Sequence, residues 1–188
     1  MVRPIAEVAV RSRRAQEIVD SARRMIERGE GDRLTMRNLA EELGIQAPSL
    51  YKHFPDKESI TTAIHVDYLA GQLAALEAAL ADDDGRHPLV RVSTAYRRYT
   101  VDNRHLFHFV FLLPYPVAAA PEVLKRLRVQ WLKAAGDSDL AVSAYAMARG
   151  MAEMEVHSLV PVGRARERGG EGLTALVDRA EALAAQRT

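Results

Sequence analysis

The sequence predicts an all-α protein with an N-terminal three-helix domain of the helix-turn-helix type and a C-terminal helical domain. Apolar residues recur every three or four positions through most of the 188 residues, as they do on the buried face of a helix. No stretch alternates apolar and polar residues in the manner of a half-buried strand. Within residues 34–57, two short helical patterns are joined by a single glycine, which is typical of a helix-turn-helix.

The first helix is predicted over about residues 12–27. Its apolar positions fall on one face of a helix, and Gly29 and Gly31 follow its end. The residues of that face are Ala15, Ile18, Val19, Ala22 and Ile26.

The second helix begins after Thr35, whose hydroxyl can accept a hydrogen bond from the free N–H groups of the first turn. Gly44 follows its last residue, where a left-handed backbone ends a helix at little cost. The apolar face consists of Leu39, Ala40 and Leu43.

The third helix begins near Pro48, because the first turn of a helix leaves its N–H groups unbonded and proline lacks one. Leu50 and Phe54 are its clear apolar anchors. A surface helix has no packing reason to expose tyrosine, lysine and histidine together, whereas a helix that enters a DNA major groove does. The outward-facing side chains are Gln46, Ala47, Ser49, Tyr51, Lys52 and His53.

A long fourth helix opens at Asp56 and ends at the acidic run of residues 82–84. Further helices are predicted at about 88–103, 106–113, 122–135, 138–159 and 172–186. We place the domain boundary inside the fourth helix without a flexible linker. Residues 1–67, with an arm at 1–12, form the helix-turn-helix domain, and residues 68–188 form the second domain.

The helix-turn-helix pattern resembles the DNA-binding domain of the TetR family of bacterial repressors. The resemblance rests on Thr35 followed by Leu39 and Ala40, on Gly44, on Ser-Leu-Tyr-Lys-His-Phe at 49–54, and on Lys57. It extends over about residues 13–69, and the rest of the chain matches only in helical character and size. The resemblance implies a DNA-binding N-terminal domain and a C-terminal domain for ligand binding and dimerisation.

The resemblance implies that the third helix contacts bases. Tyr51 can stack on a sugar or a thymine methyl group while its hydroxyl meets a phosphate. Gln46 and Lys52 can contact base edges or phosphates, and Ser49 is short enough to bond either. Ala47 allows close approach of the helix to the groove.

Backbone contacts are implied on both sides of that helix. Thr35 and Arg37 lie at the start of the second helix, where a helix N-terminus favours phosphate. Lys57, at the start of the long helix, would bind the flanking phosphate. His53 is a phosphate contact by resemblance, or alternatively packs its ring near Phe54.

Arginines near the N-terminus form a modest basic patch. Arg11, Arg13 and Arg14 lie around the start of the first helix, and Arg3 is further out. An arm of this kind can neutralise phosphates or enter a minor groove. The alternative is a solvated terminus, which we favour for Arg3.

Composition is consistent with a cytoplasmic protein. The contents of 48% hydrophobic and 27% charged residues are ordinary for a soluble globular chain. No apolar run approaches the ~20 residues that span a bilayer, and the N-terminus lacks the apolar core of a signal peptide. Without cysteine there is no disulfide or thiolate metal site. Since the formal net charge is only +1, any contact with double-stranded DNA depends on a local patch.

A homodimer on a palindromic operator is expected, because one such module touches few base pairs and two-fold pairing reads a palindrome. The predicted interface is the last two helices. The alternative is that their stripes are buried within one chain. The first of the two carries Ala144, Ala148 and Ala152, and the second carries Leu173, Leu176, Val177, Ala180 and Leu183.

An effector pocket is expected in the middle of the C-terminal part. Aromatic residues make up 6% of the chain, yet six of the eleven lie within positions 96–115. Apolar walls with a few polar groups are typical of small-molecule pockets, although such a stripe is more often core. The candidate lining residues are Tyr99, Phe107, His108, Phe111, Tyr115, Trp131, Met147 and Met151.

Together these features predict a repressor released from its operator by a small, partly apolar effector, with no cofactor, metal or catalytic residue. Activation instead of repression stays open, because the sign depends on where the operator lies. A regulator that acts through a protein partner, with no small ligand, is the first alternative.

The second alternative is a helical enzyme with a metal site. His105 and His108 are three residues apart, and Glu153, Glu155 and His157 lie close in sequence. Bundles that bind metals use Glu-x-x-His pairs, and none occurs here. This pattern therefore argues against catalysis.

Overall fold

The structure, a computed structural model, describes residues 11–159, and every regular element in that range is helical. The all-α prediction is confirmed. The helix predicted over 172–186 lies outside the described residues. The elements are α1 (Arg13–Glu27), a single 3₁₀ turn (Gly31–Arg33), α2 (Met36–Glu42), α3 (Ala47–Tyr51), α4 (Lys57–Ala81), α5 (Pro88–Asp102), α6 (Arg104–Phe111), α7 (Pro121–Ala135) and α8 (Ser138–Val156).

Side-chain caps mark the starts of several helices. The Ser12 hydroxyl accepts from the Ala15 N–H at 3.2 Å, and the Thr35 hydroxyl accepts from the Asn38 N–H at 3.1 Å. Asp56 accepts from the Ser59 N–H at 2.7 Å, and Asp137 caps α8 in the same way. Because such caps bond N–H groups that the first turn leaves free, they locate helix starts in the sequence to within a few residues.

The chain divides into two compact units. Of the described residues, 11–71 and 103–124 form the first unit, and 72–102 and 125–159 form the second. The first unit thus contains α6, which the sequence analysis assigned to the C-terminal domain. The domain boundary at 67/68 stays a prediction.

The first unit is built on α1, which packs against α2 and α6. A Cβ built on Gly31 would lie 2.9 Å from Cδ2 of Phe109 in α6, so a larger residue would require the Phe109 ring to shift. The buried core includes Ile18, Ala22, Ile26, Leu39, Leu50, Ile60, Ile64, Leu106 and Phe107.

The second unit is organised by the pairing of α5 with α8. Its core includes Leu73, Leu76, Leu89, Val92, Tyr96, Trp131 and Ala141. Across this pairing, Arg97 donates to the fully buried carboxylate of Glu155.

None of the helices within residues 11–159 is long and apolar enough to cross a membrane.

Candidate nucleic-acid interface

A tight turn joins α2 to α3. Gly44 has φ +64°, in the left-handed region that favours glycine. The Gly44 N–H donates to the Glu41 carbonyl at 3.1 Å, and the Ile45 N–H donates to the Ala40 carbonyl at 3.0 Å. This pair of bonds closes the C-terminus of α2 as a Schellman motif and turns the chain directly into α3.

Two buried anchors hold α3 against the first unit. Leu50 is 0% exposed and Phe54 is 8% exposed. Tyr51, between them, is 54% exposed. The orientation of α3 is therefore determined by apolar packing, which leaves its other side chains available to a partner.

The side chains that the sequence analysis assigned to bases lie on that helix or at its ends. Gln46, Lys52 and His53 are exposed, together with Tyr51, while Ala47 and Ser49 are half-buried. The exposed set combines donors, an aromatic ring and a cation, the groups that bond base edges and phosphates in a major groove. Which of them contacts DNA stays a prediction.

The candidates on α2 are already engaged in local bonds. The Thr35 hydroxyl serves as the cap of α2. Arg37 donates to Glu41 at 3.0 Å, with the two side chains 86% and 64% exposed. An ion pair this exposed contributes little free energy, so Arg37 can exchange its partner for a phosphate.

Two further cations flank the motif. Lys57 is exposed at the first residue of α4. Arg33, exposed at the end of the 3₁₀ turn, was missed in the sequence analysis, although a cation two residues before the Thr35 cap was a usable signal. Its backbone carbonyl accepts from the Asn38 amide at 2.7 Å, which ties the turn to α2.

The N-terminal arginines do not form one arm. Arg13 and Arg14 lie inside α1, and both pair with Glu17, where the hydrogen bond from Arg14 is the main cause of a lowered Glu17 pKa. Arg11 is bonded to Asp67 of α4 at 2.6 Å. The expectation of a free basic arm through Arg11 is therefore wrong for that residue.

Four of the predicted pocket residues belong to the first unit. Phe107 is 5% exposed and lies 5.7 Å, centroid to centroid, from Phe111, which is 43% exposed. His108 and Tyr115 are exposed. The Tyr115 ring meets His65 edge-on at 5.4 Å, and burial lowers the pKa of His65.

The other four belong to the second unit. Trp131 is 5% exposed and makes edge-to-face contacts with Tyr96 at 5.8 Å and with Tyr145 at 5.5 Å. Tyr96 and Tyr145 also contact each other at 5.6 Å. This three-ring cluster includes Tyr145, which the sequence analysis missed because α8 was interpreted through its alanines and methionines. Tyr99, Met147 and Met151 are half-buried.

The predicted dimer residues divide into two groups. Ala144, Ala148 and Ala152 are 0%, 6% and 0% exposed. The chain itself covers this ridge, which favours the alternative that the stripe is buried within one chain, and the assignment to a dimer interface stays a prediction. The other predicted interface residues, Leu173, Leu176, Val177, Ala180 and Leu183, lie outside the described residues.

Within the described range, no group of three or more His, Asp or Glu side chains is arranged to hold a metal ion. Glu155, part of the metal-site alternative, is bonded to Arg97 instead.

Comparison with known proteins agrees with the geometry of α2 and α3. The model of the tetR family of bacterial regulatory proteins matches residues 18–64. The class A tetracycline repressor protein from transposon 1721 of Escherichia coli is 39% identical over 67 residues. That match covers 36% of this chain and 31% of the repressor, and the chain spans less than half the length of the curated relatives it matches.

Solved structures share the fold over a longer stretch. The TetR family transcriptional regulator PfmR from Thermus thermophilus has a TM-score of 0.60 at 24% identity, covering 85% of this chain and 95% of that one. A TetR variant from Acinetobacter baumannii AYE, in complex with minocycline, has a TM-score of 0.59 at 19% identity, covering 89% and 96%. Residues 18–64 are thus similar to the tetR family of bacterial regulatory proteins, and the solved structures share the fold over most of the chain.

Proposed function

We propose that the protein is a ligand-responsive transcriptional repressor that binds a palindromic operator as a homodimer and is released by a small, partly apolar effector. The observation that carries the proposal is the presentation of α3. Leu50 and Phe54 are buried, while Tyr51, Lys52 and His53 between and beside them are exposed. The helix thus has a firm apolar base and a polar, aromatic outer face.

In the proposed complex, α3 lies in the major groove. Tyr51 and Lys52 contact bases or their sugars, and Gln46 and Ser49 approach at the N-terminal end of the helix. Lys57, together with Arg37 and Arg33, binds phosphates on either side. Well-formed base contacts each contribute ~1–3 kcal/mol of discrimination, whereas the phosphate contacts contribute affinity without sequence preference.

A dimer places two such helices on one operator. Since the alanine ridge of α8 is buried, we assign the interface to the opposite, exposed face of that helix. Val142 is 67% exposed, Met154 is 43% exposed, and Ala146 lies between them. Gly150 continues this stripe, and a Cβ built there would meet no described atom within 4 Å. A glycine inside a helix is destabilising. Close packing of a second copy against Gly150 would account for a residue without a side chain at this position.

The effector is proposed to bind in the C-terminal part. One solved structure with this fold is a complex of a TetR variant with minocycline. In this chain the three-ring cluster of Tyr96, Trp131 and Tyr145, with Met147 half-buried nearby in sequence, offers apolar surface and hydroxyl groups. Small-molecule pockets are typically lined by such apolar surface with a few polar groups.

Release then follows from a two-state equilibrium. The effector favours a conformation in which the two α3 helices no longer match successive major grooves. The continuous helix α4, which begins at Lys57, carries the change to the DNA-binding end. A preference of a few kcal/mol for the mismatched state is enough to shift the population.

Selection of binding sites from a random duplex library tests the proposal. The wild type and the double variant Tyr51→Ala, Lys57→Ala are compared at low salt, with Lys133→Ala as a matched control. Lys133 is exposed on α7, so its loss removes a charge without touching the proposed interface. We expect a palindrome to be enriched by the wild type and the control and lost with the double variant. No enrichment by the wild type, or equal enrichment by all three, contradicts the proposal.

A further inference from the structure

The start of α1 is joined to α4 by a shielded ion pair. Arg11 donates through Nη1 to Oδ2 of Asp67 at 2.6 Å and through Nη2 to Oδ1 at 2.9 Å. Nη2 also donates to the Ala63 carbonyl at 3.2 Å, and Nη1 donates to the Gln16 amide oxygen at 3.3 Å. The Arg11 and Asp67 side chains are only 13% and 22% exposed. Bidentate geometry of this kind restricts orientation as well as distance.

The bonds of Arg11 leave little for DNA. A guanidinium has five N–H groups, and these four bonds engage the two terminal nitrogens, so only the Nε–H is left over. Arg13, only two residues later, is accessible to solvent. Its side chain is 95% exposed and pairs with Glu17 at 3.2 Å. The two arginines have the same charge and nearly the same position in the chain, but only Arg13 is accessible.

The ion pair connects the two sides of the proposed DNA surface. On one side, α1 packs against α2, and α2 packs against α3. On the other side, α4 begins with Lys57, ten residues before Asp67, a distance of ~15 Å along a helix. Arg11 bonds α4 at two positions one turn apart, the Asp67 carboxylate and the Ala63 carbonyl. These bonds therefore contribute directly to the orientation of the start of α1 relative to α4.

We propose that Arg11 is a positioning residue for operator recognition, acting through Asp67 without touching DNA. It holds the α1–α2–α3 side and the Lys57 end of α4 in one geometry. The base contacts of α3 and the phosphate contact of Lys57 then form together on one site. This inference rests on the proposed DNA-binding function.

The experiment uses two duplexes, the site selected by the wild type and a scrambled version of equal length. Dissociation constants and their salt dependence are measured for Arg11→Gln, Asp67→Asn, the double variant and Arg11→Lys. Arg13→Gln is the matched control, because it removes the same charge from almost the same place. Circular dichroism is used to choose a temperature at which every variant is folded. Arg11→Lys keeps the positive charge but lacks the planar guanidinium that bonds both oxygens of Asp67.

If Arg11 positions the DNA-binding helices, its loss weakens binding to the selected duplex and leaves binding to the scrambled duplex nearly unchanged. We expect Arg11→Gln and Asp67→Asn each to lose about tenfold on the selected duplex and less than about twofold on the scrambled one. Asp67→Asn is informative because it makes the protein more positive, which by charge alone tightens binding. The double variant is expected to be no weaker than either single variant, since both remove one interaction. Arg13→Gln lowers affinity for both duplexes by similar factors.

Three results overturn the inference. Tighter binding by Asp67→Asn, with a salt slope that falls by about one for Arg11→Gln, makes Arg11 a phosphate ligand. Equal losses on both duplexes make the ion pair a feature of folding only. If Arg11→Gln and Asp67→Asn change the two dissociation constants as Arg13→Gln does, Arg11 has no positioning role. Failure of the wild type to prefer its selected duplex is a separate result, visible before any variant is tested, and it contradicts the proposed function itself.

Discussion

Helices α3 and α8 were both predicted as contact surfaces, and the structure presents them differently. The side chains assigned to DNA on α3 are exposed or half-buried, with Tyr51 at 54%. The alanines assigned to a dimer interface on α8 are covered within the chain, and Ala144 and Ala152 are both 0% exposed. A polar, aromatic face has only one stable location in a small domain, the surface. A ridge of small residues permits close approach of any helix, so the pattern alone does not identify the partner.

Residue type predicts exposure on α3 but not on α8. On α3, desolvation of lysine, histidine and glutamine side chains is costly, so their outward placement follows from residue type. On α8, alanine is equally compatible with the interior and with an interface. Which face of α8 is buried depends on helices far away in sequence, and the structure leaves Val142 and Ala146 exposed.

The largest expected effect is at the base of α3. Leu50→Ala removes a fully buried side chain and is expected to lower the free energy of unfolding by about 3 kcal/mol. Tyr51→Ala, one residue later but exposed, is expected to change it by less than about 0.5 kcal/mol while weakening site-specific DNA binding about tenfold or more. Urea unfolding measures the stability of each variant, and titration with the selected duplex measures its DNA affinity. Equal destabilisation by both variants contradicts the assignment of inner and outer faces.

On α8 the corresponding pair is Ala144 and Ala146. Ala144→Leu adds volume to a fully packed position and is expected to cost about 2 kcal/mol of unfolding free energy. Ala146→Leu, on the exposed face, is expected to leave the stability of the single chain within about 0.5 kcal/mol. If Ala144→Leu is tolerated and Ala146→Leu is not, the two faces of α8 have been interchanged.

The same helix tests the proposed dimer. Ala146→Arg places a charge on the exposed stripe and is expected to convert a dimer into a folded monomer in sedimentation velocity. Lys133→Ala, on the exposed surface of α7, is the control and is expected to stay dimeric. A monomeric wild type, or a dimer that survives Ala146→Arg, contradicts the assignment of this stripe.

A smaller effect is expected at the turn of the helix-turn-helix. Gly44 has φ +64°, so Gly44→Ala is expected to lower the free energy of unfolding by ~1 kcal/mol. Gly150→Ala is the matched control in a helical position with no described atom within 4 Å of the new Cβ. At low protein concentration it is expected to stabilise the chain by up to ~1 kcal/mol. Thermal unfolding of the two variants should therefore shift in opposite directions.

The smallest expected effect concerns His65. Burial lowers the pKa of this imidazole, so the folded state holds it neutral. As the pH falls through the ordinary histidine value of about 6.5, the unfolded state takes up the proton first and stability decreases. We expect His65→Phe to show a shallower loss of stability than the wild type between pH 7 and 5.5. Identical pH profiles contradict this.

Structural features that depend on interactions between residues close in sequence can be predicted from the sequence. The starts of α2 and α4 are set by Thr35 and Asp56, which bond N–H groups three residues away, and such local caps are visible in sequence. The same holds for the glycine turn at Gly44. Helix existence and order were therefore predictable, and the helix ends were placed within a few residues.

Pairings between distant segments were not predictable in this way. Arg11 looked like part of a basic arm, because nothing near it in sequence indicates Asp67. The packing of α6 against α1 joins residues far apart in sequence, and Phe109 lies against Gly31 across more than seventy residues. For the site, residue types indicated which side chains are exposed, whereas the engagement of Thr35 as a cap and of Arg37 with Glu41 required the structure.

In the proposed function, the exposed face of α3 recognises a DNA sequence. Its most direct test is the ratio of affinities for the selected and scrambled duplexes, measured for the wild type and for Tyr51→Ala at one salt concentration. We predict that the wild type prefers the selected duplex by at least ~10³-fold. For Tyr51→Ala we predict a loss of about tenfold or more on that duplex, with little change on the scrambled one. An unchanged ratio for Tyr51→Ala would contradict the account.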